Sequence, residues 1–315
     1  MTKYYIGIDV GGTFIKGGIV DENGNISADG KIATECKRGG DRVSDNIAAL
    51  INDLIEKSGV ESGKIVGVGM GVPGYIDSKR GVVVYAGNLS LSDYHIAEEV
   101  KKRAGFDVKV ANDANVAALG EKKFGSGKEF NDLVLITLGT GVGAGVVIDG
   151  KLFEGNRSAG TEIGHEVIVF GGEKCTCGRA GCFEAYASAN ALIRDTIRAM
   201  NEHKDSKMWK IGSTENVTGK TAFDYAPTDE CAAKVVDRYE DMLACGITNV
   251  ANAFRPEAIL IGGGVSAQGD NLIVPLTKKV EAQLFGYKFG SPSVILRIAS
   301  LGNKAGTLGA AALLM

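Results

Sequence analysis

At 315 residues with 44% hydrophobic side chains, the chain is long enough to bury the cores of two ordinary domains, which excludes a disordered or fibrous protein. Its 35 basic and 38 acidic side chains leave a formal charge of -3 with no dense basic run, which excludes nucleic acid as a partner. No apolar stretch approaches a membrane span, and Met1-Thr2-Lys3 leads straight into strand-like residues with no room for a signal peptide, so a cytoplasmic protein without a membrane partner is expected.

The first predicted elements are a strand at Tyr5-Ile6-Gly7-Ile8-Asp9-Val10, a loop at Gly11-Gly12-Thr13, a strand at Gly18-Ile19-Val20-Asp21 and an Asn23-Gly24 turn. A helix is predicted over 45–57, with Ile47, Leu50, Ile51, Leu54 and Ile55 on one face, and another over 96–103. The strand-like Val108-Lys109-Val110 leads into a helix that opens near Asn112 and runs through Val116, Ala117 and Leu119. The opening pattern then returns: a strand over 133–138, a loop at Gly139-Thr140-Gly141, a strand at Gly145-Val146-Val147-Ile148 and an Asp149-Gly150 turn. The two clusters lie about 128 residues apart, too far for a solenoid, so a duplicated domain is expected, its two copies flanking a cleft. Strands alternating with helices give an α/β class. The polar, weakly patterned stretch 200–228 is expected to be a surface insertion, and Ala258-Ile259-Leu260-Ile261 to be a strand ending in Gly262-Gly263-Gly264.

Several of these loops carry chemistry. Asp9-Val10-Gly11-Gly12-Thr13-Phe14-Ile15-Lys16 places an acid at a strand end, then bare backbone, a hydroxyl and a lysine, which suits phosphate and Mg²⁺ and equally suits a tight hairpin. Gly139-Thr140-Gly141-Val142-Gly143-Ala144 matches the dinucleotide pattern in letters, but a strand follows where that motif needs a helix. Gly263 and Gly264 could lie against an adenine or form a simple strand-to-helix turn. Asn112-Asp113 reads as a helix cap, and a carboxylate held there can also accept a proton from a substrate hydroxyl. The most specific signal is Cys175-x-Cys177-Gly178-x-x-Gly181-Cys182 with His165 ten residues upstream, a set suited to tetrahedral structural Zn²⁺. The remaining cysteines, Cys36, Cys231 and Cys245, are scattered, which argues for reduced thiols rather than a disulfide framework.

Together, Asp9-x-Gly11-Gly12-Thr13, Asn112-Asp113, Gly139-Thr140-Gly141, Glu162-Ile163-Gly164-His165 and Cys175-x-Cys177-Gly178-x-x-Gly181-Cys182-x-Glu184 resemble the ROK family of bacterial sugar kinases and repressors over nearly the whole chain. The resemblance implies the actin-like ATPase (ribonuclease H-like) fold, with an N-terminal domain over 1–116 completed by a C-terminal helix over 303–315. A second domain would span 117–302 and carry the zinc loop 165–184. It also implies ATP-dependent phosphorylation of glucose at the 6-hydroxyl, a glycolytic step. Asp113 would be the base, with Asp9 near Mg²⁺. Gly11, Gly12, Thr13, Lys16, Gly139, Thr140 and Gly141 would hold the phosphates of ATP, and Gly263 and Gly264 would lie near adenosine. Gly74, Asn88, Asn112, Asp113, Glu162, His165 and Glu184 would surround the sugar. N-acetylmannosamine, N-acetylglucosamine and fructose are alternative substrates, and a non-catalytic sugar-sensing regulator is an alternative function. Family members form homodimers or homotetramers. Against the family pattern, Ser90-Leu91 follows Asn88-Leu89 where a Trp is frequent, and Thr161 stands between Ala159-Gly160 and Glu162.

A physical reason for the zinc follows. Sugar hydroxyls are told apart by fixed polar groups, and so glycine-rich a segment would not hold Glu162 and Glu184 still unaided. One nitrogen of His165 can bind the metal while the other faces a hydroxyl. Because the phosphate loops belong to other segments, loss of zinc is expected to abolish sugar binding and spare the nucleotide.

Overall fold

A computed structural model describes residues 2–315. The chain forms two compact units, one made of Met1–Leu135, Gly145–Thr161 and Ser300–Met315, the other of Ile136–Ala144 and Glu162–Ala299. In chain order the elements are β1 (Tyr4–Val10), β2 (Phe14–Asp21), β3 (Ile26–Ala33), α1 (Gly40–Ser58), β4 (Ile65–Val72), β5 (Tyr75–Asp77), β6 (Val82–Ala86), β7 (Leu91–Tyr94), α2 (Ile96–Ala104), β8 (Val108–Asn112) and α3 (Asp113–Phe124). There follow β9 (Leu133–Leu138), β10 (Val142–Ile148), β11 (Lys151–Phe153), α4 (Glu184–Ala187), α5 (Ala189–Glu202), α6 (Thr221–Tyr225), α7 (Glu230–Phe254), β12 (Ala258–Gly262), α8 (Asp270–Gln283), β13 (Ile295–Ile298) and α9 (Ala305–Ala312).

The duplication expected from the glycine clusters is visible in the sheets. One has the order β3-β2-β1-β4-β8 and the other β11-β10-β9-β12-β13, the same succession of hairpin strands followed by crossover strands. In the first, β2 is antiparallel to β1 and β3, while β4 is parallel to β1 and β8. In the second, β10 and β11 are antiparallel, and β12 and β13 parallel. The parallel strands β4 and β12 are buried along nearly their whole length, which is why they read as unbroken apolar runs rather than as alternation. A small sheet β5-β6-β7 completes the strands.

Helix α1 shows how sequence periodicity becomes packing. Val43, Ile47, Leu50, Ile51 and Leu54 form one buried stripe against the β1–β4 core, and truncating any of its Ile or Leu residues to Ala costs about 2–5 kcal/mol. The helix begins five residues before the predicted start, because Gly40 lies against the ring of Tyr94, a tertiary contact that a local reading takes for loop. Gly59, in the left-handed conformation, ends it.

One expectation changes. A boundary at 116 falls inside α3, a continuous helix from Asp113 to Phe124. The stretch 200–228, largely exposed, has a small core of its own: Met200, Met208 and Val217 pack with Ala232 of α7, and Trp209 Nε1 donates to the Met200 carbonyl at 2.9 Å. Its short turns never sustain a 3.6-residue period, so the pattern is invisible locally. The end of the chain is fastened by the buried carboxylate of Glu121 on α3, which accepts from Leu301 N at 2.7 Å and Ser300 Oγ at 3.3 Å. Among the described residues, no helix is long and apolar enough to cross a membrane.

Candidate active site and metal centre

In the first unit, the end of β1, the start of α3 and the turn after β1 bring the acidic candidates together. Asp9 lies opposite Lys16 on β2 and beside Gly71 on β4. Its carboxyl is raised above the usual range, first by burial and then by the nearby Asp113, with Lys16 opposing the shift. Asp113 is raised as well, by burial, against the lowering effect of the Ala114 N–H, which donates to Oδ1 at 2.9 Å. A raised carboxyl that still ionises is a stronger base than an ordinary carboxylate. Asn112 does two things: its Oδ1 caps α3 by accepting from Ala114 N at 2.9 Å and Asn115 N at 3.3 Å, while its Nδ2 donates to the Gly74 carbonyl at 3.1 Å. The capping and functional readings of this residue are thus compatible. Asn88 and Gly74 are exposed, and the Asn88 carbonyl lies beside Gly12.

The loop 11–13 is aimed by residues its motif does not contain. Thr34, fully buried after the end of β3, donates through Oγ1 to the Gly11 carbonyl at 2.6 Å and through its N–H to the Thr13 carbonyl at 2.9 Å. Cys36 Sγ reaches the Gly12 carbonyl at 3.5 Å. Asn46 of α1 supports Thr34 from behind, donating to the Ala33 carbonyl at 3.0 Å and to Glu35 Oε2 at 3.2 Å. With the carbonyls turned to that side, the N–H groups of Gly12 and Thr13 are left to meet an anion. A further contact also lay outside the motifs: Gly306, in the first turn of α9, lies directly against the Asp9 carboxyl.

In the second unit, Gly139, Thr140 and Gly141 form the tight turn joining β9 to β10, closed by Gly139 N to the Gly141 carbonyl at 3.0 Å. The strand that follows removes the dinucleotide reading, as the sequence implies. Gly263 and Gly264 are exposed at the end of β12, before a short turn and α8. Glu162 is exposed just before the turn that carries His165.

The four metal candidates converge. One donor atom from each of His165, Cys175, Cys177 and Cys182 lies within 4.8 Å of all the others. Cys175 Sγ is 3.6 Å from His165 Nδ1, and Cys177 Sγ is 3.7 Å from Cys182 Sγ. A tetrahedron with zinc bonds of about 2.3 Å to sulfur and about 2.0 Å to nitrogen has edges of about 3.8 Å and 3.6 Å, so the donor set fits Zn²⁺. Bridges between Val167 and Cys182 and between Lys174 and Ala180 shape the loop, and Arg179 donates to the His165 carbonyl at 3.0 Å. Crowding is the cost: burial and the two neighbouring thiols push Cys182 up to about 12, a penalty that a dication binding thiolates removes. With Nδ1 turned to the cluster, His165 keeps Nε2 for another partner. Glu184, two residues after Cys182, is half-buried beside the knuckle.

The ROK family model matches residues 5–315. A glucokinase of Halalkalibacterium halodurans is 37% identical over 310 residues, covering 98% of this chain and 93% of that one. A glucokinase of Thermotoga maritima is 38% identical over 314 residues, covering 98% and 96%. Among solved structures, a ROK family glucokinase of Streptomyces griseus in complex with glucose and AMPPNP superposes with a TM-score of 0.83 at 36% identity, covering 98% of each chain.

Proposed function

The chain belongs to the ROK family and has its actin-like ATPase fold, and from that premise we propose that it transfers the γ-phosphoryl group of ATP to the 6-hydroxyl of glucose. The observation that carries this reading is Asp113, a carboxyl raised by burial at the N-terminus of α3 and within electrostatic reach of Asp9. Asp113 takes the proton of the sugar hydroxyl as that oxygen attacks phosphorus, and general-base help of this kind contributes about 10²–10⁴-fold.

Positioning supplies much of the rest. Gly11, Gly12, Thr13 and Lys16, with Gly139, Thr140 and Gly141, contact the phosphates, while Gly263 and Gly264 lie along the adenosine. Gly74, Asn88, Asn112, Glu162, His165 and Glu184 contact the sugar. Support comes from the carbonyls of 11–13 being drawn to Thr34 and Cys36, which leaves N–H groups for an anion. Asp9 and Asp113, both raised by burial and the first also by the second, fit a hard divalent cation, and Mg²⁺ held near Asp9 would neutralise phosphate oxygens. Zn²⁺ held by His165, Cys175, Cys177 and Cys182 is structural, since four protein donors leave no open position. A zinc–thiolate knuckle suits the reducing cytoplasm, and family membership suggests a homodimer or homotetramer.

A coupled ADP-release assay over glucose, fructose, mannose and the N-acetylated hexosamines tests the reading, with product NMR locating the phosphate. Turnover best with glucose and phosphate on O6 is expected. A different preferred hexose would move the substrate within the kinases, and no ADP release with any sugar would leave a sugar-sensing regulator.

A further inference from the structure

One side chain joins the zinc knuckle to the turn between β9 and β10. Glu184 Oε2 accepts from the backbone N–H of Val142 at 3.0 Å. Its other oxygen, Oε1, accepts from Thr176 Oγ1 at 3.3 Å and lies 3.6 Å from Cys175 Sγ. The turn is shaped to admit this carboxylate, because a Cβ on Gly141 would stand 2.0 Å from Oε2. Two backbone contacts close the clamp. Ala189 N donates to the Gly139 carbonyl at 2.9 Å, and Gly164, next to His165, lies so close to Val142 that a Cβ there would be 2.1 Å from its carbonyl oxygen. The Val142 end of the turn therefore rests on the segment that carries the four metal candidates, and the Gly139 end on the start of α5, seven residues after the last of them.

We propose that Glu184 is a positioning residue for the nucleotide: it locks the 139–141 turn onto the zinc knuckle, so that nucleotide affinity and zinc affinity are coupled. The inference rests on the reading of 139–141 as a phosphate loop, and it replaces the expectation that nucleotide binding survives zinc loss. A carboxylate offers about four acceptor sites, so these bonds leave room for a sugar hydroxyl as well. Coupling of binding equilibria is reciprocal, so if zinc raises nucleotide affinity by some factor, nucleotide raises zinc affinity by the same factor.

The test uses zinc-loaded protein without sugar, which removes any part Glu184 plays in sugar binding. Calorimetry with a non-hydrolysable ATP analogue should show Glu184→Ala weakened by about tenfold or more, in the range that outer partners of a metal site command. Thr176→Val, which removes one hydroxyl and no metal ligand, should cost about two- to tenfold, the net worth of one hydrogen bond. Equilibrium competition against a chromogenic chelator reads the other side: saturating analogue should raise zinc affinity in the wild type and not in Glu184→Ala. Gly141→Ala guards against a folding defect in the knuckle, since its change lies in the turn; it should lower nucleotide and zinc affinity together. Failure of the wild type to bind the analogue would sink the kinase reading and this inference with it. Normal wild-type binding, with zinc affinity indifferent to nucleotide and all three variants unchanged, would overturn the inference alone.

Discussion

The carboxyl of Asp9 rests on the first turn of α9, where the missing side chain of Gly306 makes room for it: a Cβ there would stand 2.6 Å from Asp9 Cγ. The contact brings the end of the chain to the end of its first strand and places a helix N-terminus, which favours negative charge, against a carboxyl that burial and Asp113 oppose. Gly306→Ala should therefore fold but push Asp9 aside. We expect kcat to fall by about tenfold or more, since displacements of about 1 Å can cost 10²-fold, together with a higher Mg²⁺ requirement. Steady-state kinetics over a Mg²⁺ titration decides it, and an unchanged Mg²⁺ dependence would take Asp9 out of the cation's surroundings.

Asp113→Asn should bind glucose nearly normally and lose about 10²–10⁴-fold in kcat, because the amide keeps the shape but cannot accept the proton. The same change should stabilise the protein at pH 7. A raised carboxyl contributes stability that is full below its unfolded value and lost as pH rises through its folded one, so at neutral pH the wild type carries the cost of a buried charge that the amide lacks. Near-normal turnover of a folded variant would remove Asp113 from the base role.

N-acetylated hexosamines should be poorer substrates than glucose by at least about tenfold, because an acetamido group crowds the side proposed for Glu162 and His165 and strips a fixed acceptor of its hydroxyl. Competition between the sugars under limiting ATP gives the ratio of kcat/KM directly. A ratio near one or inverted would reassign the substrate while leaving phosphoryl transfer intact.

Glu240, buried in α7, is pushed up to about 7 by desolvation, with Asp237 and Asp241 adding to the shift and Lys279 of α8 opposing it. Its contribution to stability is full below about 4.5 and is lost as pH rises through about 7. Glu240→Gln should consequently be more stable than the wild type at pH 8 by about 1–3 kcal/mol and show little difference at pH 5. Urea midpoints at the two pH values provide the measurement, and parallel midpoints across that range would show that Glu240 does not titrate there.

Much of this protein is written locally. The apolar stripe of α1, the capping of α3 by Asn112, the strand-turn-strand order of both glycine clusters and the four metal candidates each fall within a window where side-chain period, turn chemistry or ligand spacing decides the outcome. What only the tertiary structure decided lies between such windows. Thr34 holds the carbonyls of 11–13, Gly306 makes room for Asp9, Glu184 ties the zinc knuckle to Val142, and Met208 and Val217 reach Met200 of α5 from turns with no helical period. No short-range rule marks these residues, because each is an ordinary side chain or glycine whose role exists only after the sheets have closed and brought a distant backbone group to within a hydrogen bond or a van der Waals radius of it.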